Sequence, residues 1–273
     1  MSGGDLDRAA EVLRRCGDPD VRDVRLWHGG NCVVYAGSAL ALRVGRSWPL
    51  DTAQELDCWR VARAHGVPAP EEAGSGVLPD GRPYLVYRYV EGGPAESRPG
   101  LGAAGETLAA LHAVPGDRFP QETRNLPRRR ARYDTALRGG GTVGIPAGSW
   151  ADALLRRAAE DWRTSREVAC HGDFRPPNLV LREDRVALVL DWTDARAAGP
   201  ETDLGQLSPD QLDHLLPAYR AHARRQPDPD LVAGHLLARH VALEVAGVFP
   251  PGTSARTADL VKDRLRRGSW GRG

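Results

Sequence analysis

The stretch His171-Gly172-Asp173-Phe174-Arg175-Pro176-Pro177-Asn178 runs on through Leu179-Val180-Leu181 to Val186-Ala187-Leu188-Val189-Leu190-Asp191-Trp192, and it decides how this 273-residue chain is read. A polar loop lies between an apolar approach, Val168-Ala169-Cys170, and two short apolar runs that read as a hairpin. The loop presents Asp173, then Asn178, and Asp191 follows at the end of the second run. An Asn and an Asp offer oxygen ligands suited to a hard divalent ion such as Mg2+, with phosphates completing the shell. An Asp upstream of both can orient a hydroxyl and accept its proton. The spacing Asp-x4-Asn-x12-Asp suits phosphoryl transfer, which needs positioning and charge neutralisation rather than a covalent nucleophile. Three separate polar residues would be read as turn caps. The whole string, in this order, is not.

Upstream, the first ninety residues read as α+β. A helical pattern (Leu6, Ala9, Ala10, Leu13) precedes an alternating strand, Val21–Trp27, and the turn His28-Gly29-Gly30-Asn31. Two β-rich runs, Cys32–Ala36 and Ala39–Val44, flank Gly37-Ser38 as a hairpin does. Asp51 or Thr52 caps a predicted helix that runs to about His65 and stops at Gly66-Val67-Pro68. Strands near Glu72–Leu78 and Pro83–Val90 are joined by Pro79-Asp80-Gly81, a strong turn tripeptide. Glu91-Gly92-Gly93-Pro94 then breaks the pattern, and beyond it the chain is mostly helical.

Composition narrows the chemistry. Of the 37 basic side chains 36 are arginine, and Lys262 is the single lysine. That excludes Schiff-base enzymes and lysine-bearing phosphate loops from the body of the chain. A net charge of +1 gives no global field for nucleic acid or an anionic membrane. The N-terminus shows neither a basic nor an apolar signal region, and no apolar run is long enough to span a bilayer. The four cysteines, at 16, 32, 58 and 170, form no C-x-x-C pair, so a cytoplasmic protein with reduced thiols is expected.

The segment from His171 to Asn178, with Asp191-Trp192, resembles the catalytic loop and metal segment of the aminoglycoside phosphotransferase (choline-kinase-like) family, relatives of the protein kinases. Other stretches support the resemblance in order: Glu55–Pro70 resembles the family's N-lobe helix and turn, Leu108–Pro115 its helix after the hinge, and Asp191–Leu204 its metal segment with the downstream Asp203 that holds the catalytic loop. The resemblance implies an α+β, bilobal protein-kinase-like fold. A small N-lobe (1–90) of antiparallel sheet plus helix would bind nucleotide, a hinge would fall at 91–94, and a larger, mainly helical C-lobe (95–273) would hold the catalytic loop and acceptor. It implies Asp173 as the catalytic base, Asn178 and Asp191 as Mg2+ ligands, and Glu55 as the partner of a third-strand cation. That cation falls at Arg43, where protein kinases use lysine; His171 resembles a structural loop histidine. The phosphate-covering turn would be Gly29-Gly30-Asn31, Tyr87 the residue before the hinge, and Arg88-Tyr89-Val90 the backbone facing the purine. Ala198-Gly199-Pro200 departs from the family's Gly-Asp-Pro, and Asp194 reads as a secondary polar residue.

The implied activity is transfer of a phosphoryl group from ATP or GTP to a small-molecule hydroxyl, an antibiotic first, in resistance or producer self-protection. A metabolic kinase of the choline, sugar or amino-alcohol type and a silent pseudokinase scaffold are the alternatives. A protein kinase fits less well, since His-Gly-Asp replaces His-Arg-Asp and neither Asp-Phe-Gly nor Ala-Pro-Glu follows it. A bulky Tyr87 could narrow the purine site and favour guanine. Residues 117–140 carry seven arginines (118, 124, 128, 129, 130, 132, 138) against Asp117, Glu122 and Asp134. Such a segment leans towards a neutral or anionic acceptor rather than a polycationic one.

Overall fold

Helical spacing of Ala9, Ala10 and Leu13 folds Gly3–Arg15 into α1, whose buried stripe faces a sheet. The computed structural model describes residues 3–21, 24–28, 32–46, 51–121, 123 and 126–270. The short apolar runs that follow α1 pair as β1 (Arg25–His28), β2 (Cys32–Ala36), β3 (Leu40–Gly45), β4 (Glu72–Val77) and β5 (Pro83–Arg88). They form one antiparallel sheet in the order β1-β2-β3-β5-β4, with α2 (Thr52–Ala64) inserted between β3 and β4.

Alternation then decides which face each side chain takes. Val33, Tyr35, Leu42, Val44, Tyr84 and Val86 point towards α1 and close one core with Ala9, Ala10 and Leu13. Ala36, Ala41, Leu85 and Tyr87 point the other way, where Leu56, Cys58 and Trp59 of α2 join them to the larger core of the chain. Arg43 stands between Leu42 and Val44, so the same period of two sends its charge to the α2 face. Asp51 caps α2 by accepting a hydrogen bond from the Gln54 amide at 3.2 Å, and Glu55 is the first buried residue of the helix.

Beyond β5 the chain continues with β6 (Gly93–Pro94), α3 (Arg98–His112), α4 (Leu126–Gly139), α5 (Trp150–Thr164), β7 (Val168–Cys170), β8 (Leu179–Arg182) and β9 (Arg185–Val189). It ends with β10 (Arg196–Ala198), α6 (Glu201–Leu204), α7 (Pro209–His222), α8 (Pro229–Val245) and α9 (Thr253–Arg267). β7 pairs with β10, while β8 and β9 form the expected hairpin with β6 at its edge. This is the α+β arrangement that the sequence implied: a smaller antiparallel-sheet part and a larger, mainly helical part.

Two local expectations change. The first strand begins at Arg25 rather than Val21, residues 22–23 lying outside those described. The 91–94 segment is not simply a break, because Gly93 and Pro94 pair with Leu181 and Val180 of β8. Proline's fixed φ is compatible with an edge position, and at the preceding Gly92, where an added Cβ would stand 2.2 Å from the Leu181 carbonyl oxygen, the missing side chain admits β8, so turn residues here serve as an edge strand. No helix of the described residues is long and apolar enough to cross a membrane.

The helical part is held by close approach of α3 and α7. An added Cβ on Gly105 would stand 2.5 Å from the Leu215 carbonyl oxygen and 2.9 Å from the Tyr219 amide, both backbone atoms that cannot swing away. Gly105→Ala should therefore push the two helices apart and lower unfolding stability by about 1–3 kcal/mol, as overpacking does. Urea titration checks this, and an unchanged midpoint would show that the helices have slack.

Candidate active site

The loop between β7 and β8 is fixed from beneath by one carboxylate. Asp203, on α6 and fully buried, accepts the His171 amide at 2.7 Å on Oδ2 and the Gly172 amide at 2.6 Å on Oδ1. His112 of α3 donates to the same Oδ2 from Nε2 at 3.2 Å, and Tyr219 of α7 donates to His112 Nδ1 at 2.9 Å. Burial works against the Asp203 charge, yet these donors hold its carboxyl below the ordinary value. Gly172 sits at φ +81°, and a Cβ there would collide with the Asp194 backbone, so only glycine fits.

His171 uses both ring nitrogens inside the loop. Nε2 donates to the Leu190 carbonyl at 2.9 Å and Nδ1 accepts the Asp173 amide at 3.2 Å, so it supports the loop. Asp173 Oδ2 receives Arg175 at 2.8 Å and Asn178 Nδ2 at 2.9 Å, and Asn178 Nδ2 also reaches the Asp173 carbonyl at 2.8 Å. Among the described residues, Asp173 Oδ1 meets only the Arg129 guanidinium, at 4.0 Å. Burial would raise this carboxyl, but Arg175 and Arg129 override it and bring the pKa to about 2.

The second half of the site is a buried junction of the sheet, α2 and the end of β9. Arg43 donates to Glu55, to Asp191 Oδ1 at 2.6 Å and to the Thr193 hydroxyl at 2.7 Å. Glu55 Oε1 also accepts the Trp192 amide at 3.2 Å. Desolvation opposes the charge on Arg43, but Glu55 and Asp191 hold its pKa well above the ordinary value. Asp191 adopts φ 62°, ψ 67°, a left-handed backbone unusual for a residue with a side chain. Trp192, fully buried and donating to the Val189 carbonyl at 2.7 Å, and Thr193, donating to Asp191 Oδ1 at 2.8 Å, hold that turn. Asp191 and Asp173 feel each other's charge across the gap between the two halves.

Arg43, Glu55, Asp173, Asn178 and Asp191 are thus brought together. Gly29, Gly30 and Asn31 lie outside the described residues. Tyr87 is buried on β5 with its ring edge-on to Trp59, centroids 5.8 Å apart. The backbone of Arg88–Val90, expected to face the purine, has two of its three amides already engaged. The Arg88 amide donates to the Glu71 carbonyl at 3.0 Å and the Tyr89 amide to the Ala39 carbonyl at 2.8 Å. Only Val90 of the three has an amide without a hydrogen bond among the described residues, because β5 is still pairing with its neighbours at the other two.

Sequence reasoning missed Thr193, Arg129 and Arg175, whose roles arise from side-chain convergence. It also undervalued Asp194, which is ion-paired with Arg129 rather than solvated. The string Asp191-Trp-Thr193-Asp194 carried the only available signal, two further polar residues on the turn after the metal-type Asp.

Fold and site together define a kinase-like phosphotransferase. The chain belongs to the phosphotransferase enzyme family, whose model matches residues 33–239. It is accordingly a small-molecule kinase acting on an alcohol-type acceptor group. Comparison with curated protein sequences gives no significant match.

Among solved structures, a choline/ethanolamine kinase family protein from Mesorhizobium loti is 23% identical, over 96% of this chain and 93% of that one, with a TM-score of 0.60. A macrolide 2'-phosphotransferase from Brachybacterium faecium is 20% identical over 93% and 98%, with a TM-score of 0.59. The GDP complex of aminoglycoside 2'-phosphotransferase-IIIa is 16% identical over 97% and 98%, with a TM-score of 0.58. At such identities the likeness establishes the shared fold.

The depressed Asp173 pKa has a defined consequence. Because the folded value, about 2, lies below the ordinary 3.8, ionised Asp173 stabilises the fold above the ordinary value and loses that contribution as pH falls towards the folded one. A carbon-13 carboxyl titration should find Asp173 ionised down to about pH 3, with Arg175→Ala moving the midpoint upward. A wild-type midpoint at or above the ordinary value would contradict the clamp.

Proposed function

We propose that the chain transfers the γ-phosphoryl group of ATP or GTP to a hydroxyl of a small molecule, an antibiotic, in resistance or producer self-protection, within the cytoplasm. The sheet part (1–90) binds the nucleotide, residues 91–94 act as the hinge, and residues 95–273 supply the catalytic loop and acceptor site. The observation that carries this reading is a pair of carboxylate oxygens that accept no hydrogen bond among the described residues: Asp173 Oδ1, and Asp191 Oδ2, whose partner oxygen is taken by Arg43 and Thr193.

The residues fit a bound Mg2+. Asn178 uses its Nδ2 on Asp173, and neither Asn178 Oδ1 nor Asp191 Oδ2 accepts a hydrogen bond among the described residues, which leaves two hard oxygen donors. Bound there by Asn178 and Asp191, the ion would neutralise charge on the transferred phosphate. Arg43, whose two terminal nitrogens are engaged by Glu55, Asp191 and Thr193, lends its positive charge to the α- and β-phosphates and would exchange one of these partners to bond a phosphate oxygen directly.

Asp173 Oδ1 receives the acceptor hydroxyl. With a pKa near 2 it is a weak base, so its main contribution is to orient the hydroxyl and take the proton late, as a loose transition state allows. Gly29-Gly30-Asn31 would cover the phosphates, and Tyr87 with the Arg88–Val90 backbone would bound the purine, Val90 offering the free amide.

A metabolic kinase reading draws on the choline/ethanolamine kinase family protein of the same fold. Mass spectrometry of antibiotic classes and of choline, sugar and amino-alcohol acceptors, each with ATP and with GTP, separates the readings. We expect an antibiotic to gain one phosphoryl group and Asp173→Ala to lower turnover by about 10²–10⁴-fold. Gain on metabolites alone would favour the second reading, and no nucleotide consumption with any acceptor would favour the silent scaffold. Rates with ATP and GTP at equal concentration test Tyr87, and a clear ATP preference would remove its assigned role.

A further inference from the structure

The acceptor side of Asp173 holds more positive charge than its carboxylates can match. Helix α4 turns Arg129, Arg132 and Tyr133 to one face, at i, i+3 and i+4. Helix α8 presents His235 and Arg239, one turn apart, and the Tyr133 hydroxyl lies 2.6 Å from His235 Nδ1, fixing the two helices side by side. Arg175 enters from the catalytic loop. Arg129 stands 4.0 Å and Arg175 2.8 Å from the Asp173 carboxylate, Arg132 follows Arg129 by one turn of α4 and Arg239 follows His235 by one turn of α8, and both Arg132 and Arg239 lie near enough to feel the charges of Arg129 and Asp173.

Their partners are unequal. Arg129 is ion-paired with Asp194, and Arg175 with Asp173 at 2.8 Å, although Arg175 Nε is buried with no hydrogen-bond partner among the described residues. Among the described residues, Arg132 has the Gln206 amide oxygen, at 3.5 Å, the limit of a hydrogen bond, and Arg239 has the Phe249 ring, 5.9 Å from its guanidinium carbon. Among those residues, then, the ion pairs of the four guanidinium groups are made by two carboxylates, Asp173 and Asp194. Burial, and the charge of Arg129 and Arg239 nearby, pull the Arg132 pKa down to about 10, and burial with Arg175 and Arg129 pulls Arg239 down as well. Like charges half-removed from water without counter-charges destabilise a fold unless something else neutralises them.

We propose that Arg132 and Arg239, with Arg175, bind an anionic group of the acceptor (a phosphate, sulfate or carboxylate) while Asp173 receives the hydroxyl of the same molecule. The proposal rests on the phosphotransferase reading and narrows its acceptor from neutral or anionic to anionic. It also revises the charge argument made from residues 117–140. Arg118, Arg128, Arg130 and Arg138 are exposed, and Arg124 lies outside the described residues. Of the described arginines of that segment, only Arg129 and Arg132 turn inward, and Arg175 and Arg239 come from other parts of the chain. A polycationic acceptor would add to the unmatched charge, whereas a monoanion or dianion removes it. The planar fork of arginine fits all three oxyanions through paired N–H donors.

The test is anion binding by the full-length protein, measured by calorimetry with ADP present to occupy the nucleotide cleft. Inorganic phosphate, sulfate and acetate are titrated at constant ionic strength, with chloride as the control. At least one of the three should bind, and Arg132→Gln and Arg239→Gln should each weaken that binding about tenfold or more, with Arg132→Lys between wild type and Arg132→Gln. Which probe binds best identifies the oxyanion class. Without anion, the two Gln variants should melt at or above the wild-type temperature, since they remove an unmatched charge; a lower melting temperature would mark the arginines as structural and overturn the proposal. Equal affinity in wild type and variants, or no binding above the chloride control, would overturn it as well. Because the readout is binding, it stands apart from the failure of the phosphotransferase reading, which would appear as absent nucleotide consumption.

Discussion

The buried contact of Arg43 with Glu55 and Asp191 is the interaction on which the rest of the site depends. It joins three segments that meet nowhere else in the sequence: the middle of β3, the first turn of α2 and the end of β9. Glu55 is 1% exposed and its Oε2 has no partner among the described residues, so the pair is not arranged for maximum stability. Replacing a buried ion pair with apolar groups is often neutral or stabilising, whereas removing one partner costs about 3–5 kcal/mol because the other is left uncompensated. What the contact secures is position. Through it the backbone of Trp192 is tied to α2, the left-handed turn at Asp191 is fixed, and one Asp191 oxygen is kept for another use.

A second carboxylate does the same for the other half of the cleft. Asp203 fixes His171 and Gly172 by their amides, and His112 and Tyr219 tie it to α3 and α7. The two halves differ in what they leave open. Around Arg43 the oxygens without a hydrogen bond among the described residues are the buried Glu55 Oε2 and the more exposed Asp191 Oδ2, the second of which suits a cation. Around Asp173 the excess is positive. On the proposed reading, with Arg43 on the nucleotide side and the arginines near Asp173 on the other, an acceptor that brings its own negative charge is favoured.

Much of this was legible in the sequence because it depends on local order. Alternation over Leu40–Val44 was enough to send Arg43 to the face opposite Leu42 and Val44, and the string from His171 to Asn178 carries its own turn chemistry. The single lysine, Lys262, left arginine as the only candidate cation. What was not legible depends on convergence. Arg132, Arg175 and Arg239 are separated by tens of residues and come near Asp173 through the packing of α4 and α8 and the catalytic loop, and nothing in a run of arginines marks which ones turn inward. The pairing of Gly93-Pro94 with β8 escaped for the opposite reason: its local chemistry reads as a turn, and tertiary pairing overrides it.

The central claim, that Arg43 replaces the usual lysine and grips the nucleotide phosphates under the control of Glu55, is tested most directly by steady-state kinetics of Arg43→Ala. Arg43→Lys serves as the charge-preserving control, and circular dichroism confirms that each variant is folded. The account predicts a loss of about 10²–10³-fold in kcat/KM for the nucleotide in Arg43→Ala, only partial recovery in Arg43→Lys, and little change in the acceptor KM. Unchanged kcat and nucleotide KM in folded Arg43→Ala would contradict it.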